Sequence, residues 1–142
     1  MPADRLKVRE NHDSRYEVLD GSDLMGSFPT IVDAVQFIRD RGARLWLDWG
    51  RTVISGETKP HDFEASFLGS SVGRLLGEQH GPSKGYWFWS VSTNDRRWRQ
   101  HGGQRGREAD KGAAVAELER QFTEYLANTP PKPSPYAQTK GF

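Results

Sequence analysis

The segment Tyr86-Trp87-Phe88-Trp89-Ser90-Val91 constrains this chain more than any other stretch of it. As a strand it sends Trp87, Trp89 and Val91 to one face and Tyr86, Phe88 and Ser90 to the other, because successive side chains alternate across a pleated backbone. One of these faces must be core. A sheet with helices on one side needs only one apolar face, so Tyr86 and Phe88, joined by Trp46, form either an aromatic platform open to a ligand or a second packed layer beneath loops.

The strand sits in a chain of 142 residues with 15 Gly and 8 Pro, long enough for one domain and rich in turns. An apolar share of 35% excludes a wholly disordered chain. The formal charge of +1 advertises no polyanion partner for the protein as a whole, so a nucleic-acid site has to be a local patch. No stretch approaches the ~18 apolar residues of a membrane span, and the first fifteen residues are too charged for a signal peptide. Without cysteine there is no disulfide, thiol nucleophile or thiolate zinc site, and a cytoplasmic location is expected.

Residues 1–14 are polar and aperiodic, and residues 129–142 carry Pro130, Pro131, Pro133 and Pro135, so both ends are expected to be flexible around a single domain over 15–128. Within it the spacing predicts a strand at 16–19, a turn at Asp20-Gly21-Ser22-Asp23 and a return strand at 24–28. Thr30 then caps a helix over 31–41 whose apolar stripe is Ile31, Ala34, Val35 and Ile38, closed by Gly42. Strands follow at 43–49 and, past a turn at Gly50, at 52–55. In 63–77, three glycines four residues apart disfavour a helix, so strand and loop are expected, with 72–76 pairing back onto 86–92. A short strand at 106–109 leads to Asp110, which caps a helix bearing Ala114, Val115, Leu118, Phe122 and Leu126.

Set in register, Gly26 matches Gly106, Thr30 matches Asp110, and Ala34-Val35 matches Ala114-Val115. The expectation is therefore an α+β fold of two β-β-α-like units, about 15–56 and 63–128, with an antiparallel sheet and both helices packed on one face.

The run Val72-Gly73-Arg74, Gly81-Pro82, Gly85-Tyr86-Trp87-Phe88-Trp89-Ser90-Val91, Gly106 and a helix with Ala114 resembles a GR, GP, GxWxWSV, helix pattern of small uncharacterised bacterial proteins. It covers about 72–126, and the long arginine-rich loop over 94–105 departs from the pattern. The resemblance implies no activity, substrate, cofactor or catalytic residue. A weaker likeness, to tandem β-β-α repeat proteins of unknown function, agrees with the internal repeat.

After the aromatic strand come Arg96, Arg97, Trp98, Arg99, Arg105 and Arg107, with no acidic residue between Arg96 and Arg107. Arginine forks bind carboxylate and phosphate bidentately, and aromatic side chains anchor interfaces or stack on bases. With Tyr86 and Phe88 this set suits an acidic protein surface, and it suits single-stranded nucleic acid by the same chemistry. The leading reading is a non-catalytic interaction or regulatory protein with an acidic protein partner; the alternative is a single-stranded nucleic-acid binder, and the third is a small hydrolase. No catalytic residue, metal site or cofactor is assigned. His12, His61, His80 and His101 form no paired ligand motif, Ser70, Ser71, Ser83 and Ser90 sit in no G-x-S-x-G elbow, and Gly102-Gly103-Gln104-Arg105-Gly106 lacks the Lys-Ser/Thr end of a phosphate loop.

Overall fold

A computed structural model describes residues 4–93 and 101–128. The fold is α+β, with two helices and two sheets. The first sheet contains β1 (Arg5–Glu10), β2 (Tyr16–Asp20), β3 (Asp23–Phe28) and β4 (Arg44–Leu45) in the order β3-β2-β1-β4, and α1 (Ile31–Asp40) links β3 to β4. The second is a meander of β5 (Asp48–Ile54), β6 (Glu57–Phe67), β7 (Ser70–Gly77), β8 (Trp87–Thr93) and β9 (His101–Glu108), followed by α2 (Lys111–Ala127). The order hairpin, then helix, occurs twice, as β2-β3-α1 and β8-β9-α2.

Both helices begin where their caps require. The Thr30 side chain accepts from the Asp33 N–H, and the Asp110 side chain accepts from the Ala113 N–H, each satisfying a donor the first turn leaves free. The α1 stripe of Ile31, Ala34, Val35 and Ile38 is buried as the spacing predicts. On α2 the buried face is Ala114, Leu118, Phe122 and Leu126, together with Glu119 and Thr123. The helices pack on each other, α1 against β2, β3 and β4, and α2 against β4, β7, β8 and β9, around one apolar core.

Several expectations are corrected. The strands form two sheets rather than one, and β1 runs parallel to β4 through Arg5↔Arg44 and Leu6↔Leu45. Residues 5–10, expected to be part of a flexible end, form the strand that joins β2 to β4; alternation puts Leu6 into the core and Val8 against it, and two apolar residues among charged ones are too little periodicity to announce a strand. The stretch at 43–49 divides into β4 and the start of β5, and Gly50 lies inside β5 opposite Glu64, the turn falling instead at Ser55 and Gly56, both with positive φ. Strand β9 starts at His101, earlier than 106.

The glycine spacing has a packing cause. Gly69 occupies the β6–β7 turn at φ 85°, while Gly73 faces α2, where an added Cβ would lie 2.6 Å from the Ser90 carbonyl oxygen and 3.0 Å from Leu118. Gly73→Ala is therefore expected to push α2 off the sheet and cost about 1–3 kcal/mol, the usual range for overpacking, read from urea unfolding. An unchanged midpoint would show that the helix does not need this close approach.

Candidate functional site

Strand β8 is held between β7 and β9 in a register that sorts its aromatic residues. Gly77 lies opposite Trp87, Leu75 opposite Trp89 and Gly73 opposite Val91, while on the other side Trp87 lies opposite Glu108 and Trp89 opposite Gly106. Trp89 and Val91 are buried under α2, and the Trp89 indole N–H donates to Glu108 Oε2 at 3.2 Å. Trp87 is half-buried against Phe63, their ring centroids 6.2 Å apart. Trp87, Trp89 and Val91 thus point to the core face, as alternation requires.

Phe88 and Ser90 point the other way, onto a face that no helix covers. Two cross-strand rows organise it. The first runs Asp62, Leu76, Phe88, Arg107 from β6 to β9, and the second runs Glu64, Arg74, Ser90, Arg105. Leu76 is 41% exposed and Tyr86, just before β8, is 38% exposed. A shallow hollow of about 490 Å³ lies over Arg74, Leu76, Phe88, Ser90, Arg105 and Arg107.

The charges on this face are unevenly engaged. The Arg74 Nε donates to Asp62 Oδ1 at 2.7 Å and its Nη2 donates to Oδ2, while the Thr52 hydroxyl donates to Oδ1 at 2.8 Å. These hydrogen bonds, led by Arg74, hold the Asp62 carboxyl below its ordinary pKa against the burial that pushes it upward. The Arg107 guanidinium stacks over the Tyr86 ring at 4.7 Å. Among the described residues neither Arg105 nor Arg107 pairs with a carboxylate, and both are exposed.

The Asp62 shift fixes a pH dependence. Its folded pKa lies below its unfolded one, so the stability it contributes is present above the unfolded value near ~3.9 and is lost as pH falls through the folded value. In Arg74→Met the Asp62 carboxyl is expected to titrate higher, and acid unfolding should begin at higher pH. Carboxyl ¹³C titration of both proteins checks this, and an unmoved Asp62 would contradict the assignment of the shift to Arg74.

Of the residues singled out from the sequence, Tyr86, Phe88, Arg105 and Arg107 fall together here. Arg96, Arg97, Trp98 and Arg99 lie outside the described residues. Trp46 does not join the platform; it follows β4 and lies beneath Arg5 and Lys7 of β1, 4.3 and 5.0 Å from its ring centroid. The face also contains Asp62, Glu64, Arg74 and Leu76, which the sequence reading did not select. The signal was present for two of them: once 72–76 is paired with 86–92, Arg74 and Leu76 share the side of Ser90 and Phe88. The two carboxylates come from β6, whose sequence shows no clear alternation.

A hydrolase site is expected to present an acid or base held away from its ordinary pKa. On this face that group is Asp62, whose two oxygens are engaged by Arg74 and Thr52. Among the described residues no three His, Asp or Glu side chains cluster as metal ligands, and no helix is long and apolar enough to cross a membrane. No family model matches the chain, and neither a curated protein nor a solved structure matches it.

Proposed function

We propose that this chain is a non-catalytic interaction protein, regulatory in role, whose outer β7-β8-β9 face docks on a protein surface that presents carboxylates. The observation that carries the reading is an apolar cluster on the outer face, exposed Leu76 and Tyr86 with half-buried Phe88, bordered by Arg105 and Arg107, which no described carboxylate neutralises. Aromatic and aliphatic side chains supply the desolvated centre of such an interface, and arginine forks supply charge-assisted bonds at its border. Arg96, Arg97, Trp98 and Arg99, outside the described residues, lie between β8 and β9 in the sequence and carry side chains of the same chemistry. The same reading places the protein in the cytosol.

Single-stranded nucleic acid is the weaker reading of this face. Base stacking needs an open ring, and one face of Tyr86 is taken by Arg107; Glu64 is exposed on the same sheet surface, where it repels a phosphate backbone. Short DNA and RNA oligonucleotides are expected not to bind at low salt, read by anisotropy and tryptophan fluorescence together. Binding with quenching would overturn the preference.

Peptide-display selection tests the protein reading directly. On the wild-type chain it is expected to enrich peptides with several Asp or Glu around one apolar anchor. The double substitution Arg105→Glu, Arg107→Glu, at exposed positions, should weaken these peptides about tenfold or more, the equivalent of ~1.4 kcal/mol. Enrichment of neutral or basic peptides, or equal binding by the substituted protein, would overturn the proposal.

A further inference from the structure

The outer face is charged in opposite senses on its two sides. On the β6 and β7 side lie Glu64 and Glu78, besides the buried Asp62 that Arg74 already neutralises; on the β9 side lie Arg105 and Arg107 with no outward acid beside them among the described residues. Between the two sides the first row places Leu76 and Phe88, and the second places Arg74 and Ser90. Glu78 lies opposite Tyr86, its N–H donating to the Tyr86 carbonyl at 2.9 Å, so the same division continues into a third row.

A surface acidic on one side and basic on the other, with Leu76 and Phe88 between them in one row, is complementary to itself under one particular operation. A two-fold axis in the plane of contact and along the strands, midway between β7 and β8, turns a second copy face down and exchanges the two sides. It lays the β9 of each chain over the β6 of the other. Arg105 then meets Glu64, Phe88 meets Leu76, Ser90 meets Arg74 and Tyr86 meets Glu78, while Arg107 lies over Asp62, whose oxygens Arg74 and Thr52 already engage. A two-fold axis across the strands instead keeps the sides, laying β9 over β9 and β6 over β6, which leaves like charges together. Face-to-face sheets pack with their strands within ~30° of each other, which either operation satisfies, so the charges choose the axis.

We infer that the outer faces of two copies of this chain close on each other about that axis, so that in the absence of a partner the chain is an isologous dimer whose docking face is masked by itself. The inference rests on the reading of this face as a protein-docking surface, and it adds regulation: an acidic partner has to displace the second copy, whose Glu64 occupies the place of the partner's carboxylate.

Charge exchange tests it, with the full chain and mass measured by sedimentation velocity over a dilution series. The basic variant is Glu64→Arg, Glu78→Arg, and the acidic variant is Arg105→Glu, Arg107→Glu; three of the positions are exposed and Glu78 is half-buried, and circular dichroism checks each fold. The wild type is expected at the mass of two chains, falling to one on dilution and on addition of salt. Each variant alone is expected at the mass of one chain, since it sets like charges together. Their equimolar mixture is expected to return to the mass of two, because the new guanidinium at position 64 of one then faces the new carboxylate at position 105 of the other, and the native Arg105 faces the native Glu64. Leu76→Lys, which places a charge in the apolar cluster of an otherwise native face, is expected to be monomeric alone and is the check should either double variant fail to fold.

A wild type that stays monomeric throughout overturns the inference. So do variants that remain dimeric, which would place the contact elsewhere, and a mixture that remains monomeric, which would reject the strand-parallel axis. The reading beneath it is separable: a monomeric wild type that still selects acidic peptides overturns the dimer alone, and a dimer that exchanges charges as described yet selects no acidic peptide overturns the foreign partner alone.

Discussion

Glu119→Ala is expected to destabilise this protein by about 3–5 kcal/mol, the range for removing one partner of a buried ion pair. Glu119 is completely buried on α2, and its two oxygens accept from five donors. Arg5 of β1 grips it bidentately, Nε to Oε1 at 2.8 Å and Nη2 to Oε2 at 2.5 Å; Arg44 of β4 adds Nε to Oε1 at 2.9 Å. The Leu47 backbone N–H and the Trp49 indole N–H reach Oε2 at 3.0 and 3.1 Å. One carboxylate thus ties α2 to the first sheet through Arg5 and Arg44 and to the second through Trp49. Truncation leaves two partly buried guanidiniums and two further donors without their acceptor, and each carries a desolvation cost. Glu119→Gln keeps the volume but turns an N–H₂ toward some of these donors, so it is expected to be nearly as damaging. Urea denaturation of both variants measures the effect, and a loss below about 1 kcal/mol for Glu119→Ala would show that the sheets are held together by apolar packing instead.

Trp89→Ala is expected to cost about 3–5 kcal/mol, as for other large aromatic truncations in a core. The ring is 7% exposed and lies flat over Gly106 of β9, where an added Cβ would come within 2.6 Å of it. The pairing explains why β9 has glycine at this register position: the tryptophan covers the bare backbone across the strand gap. Gly106→Ala should accordingly destabilise the wild type by about 1–3 kcal/mol through overpacking. In the Trp89→Ala background the same substitution should be nearly neutral, since the ring it collides with is gone. A double-mutant cycle reads this coupling. Additive losses would mean that Gly106 is needed for its backbone and not for the ring.

Much of this architecture is legible from local pattern. The capping residues Thr30 and Asp110, the stripes of both helices and the two faces of β8 follow from spacing alone, because each is set by contacts within a few residues or by the two-residue pleat. The parts that were not legible depend on distant partners. β1 is mostly polar, and what makes it a strand is β2 on one side and β4 on the other. β6 holds Lys59, Pro60, His61 and Asp62 in a sequence with no clear alternation, and its pairing with both β5 and β7 overrides that composition. Glu119 follows Leu118 on the buried face of α2, and a charge there reads as a breach of the apolar stripe until Arg5 and Arg44 are brought to it.

The binding face divides along the same line. Tyr86 and Phe88 were readable from alternation in one strand, and Arg105 and Arg107 from composition. That Arg74 is engaged by Asp62 while Arg105 and Arg107 are not, and that the acids gather on one side of the sheet, depends on the order of four strands. The electrostatic character of the face is therefore a property of topology more than of any segment.

The most direct measurement of the docking reading is a ¹H–¹⁵N chemical-shift titration of the full chain with the acidic peptide most enriched on it, extended to the aromatic side chains. The account predicts shifts at Leu76, Tyr86, Phe88, Ser90, Arg105 and Arg107, with Trp89 and Val91 on the opposite face little changed. Shifts centred on Trp46 and Lys7 of the other sheet, or none at saturating peptide, would contradict it.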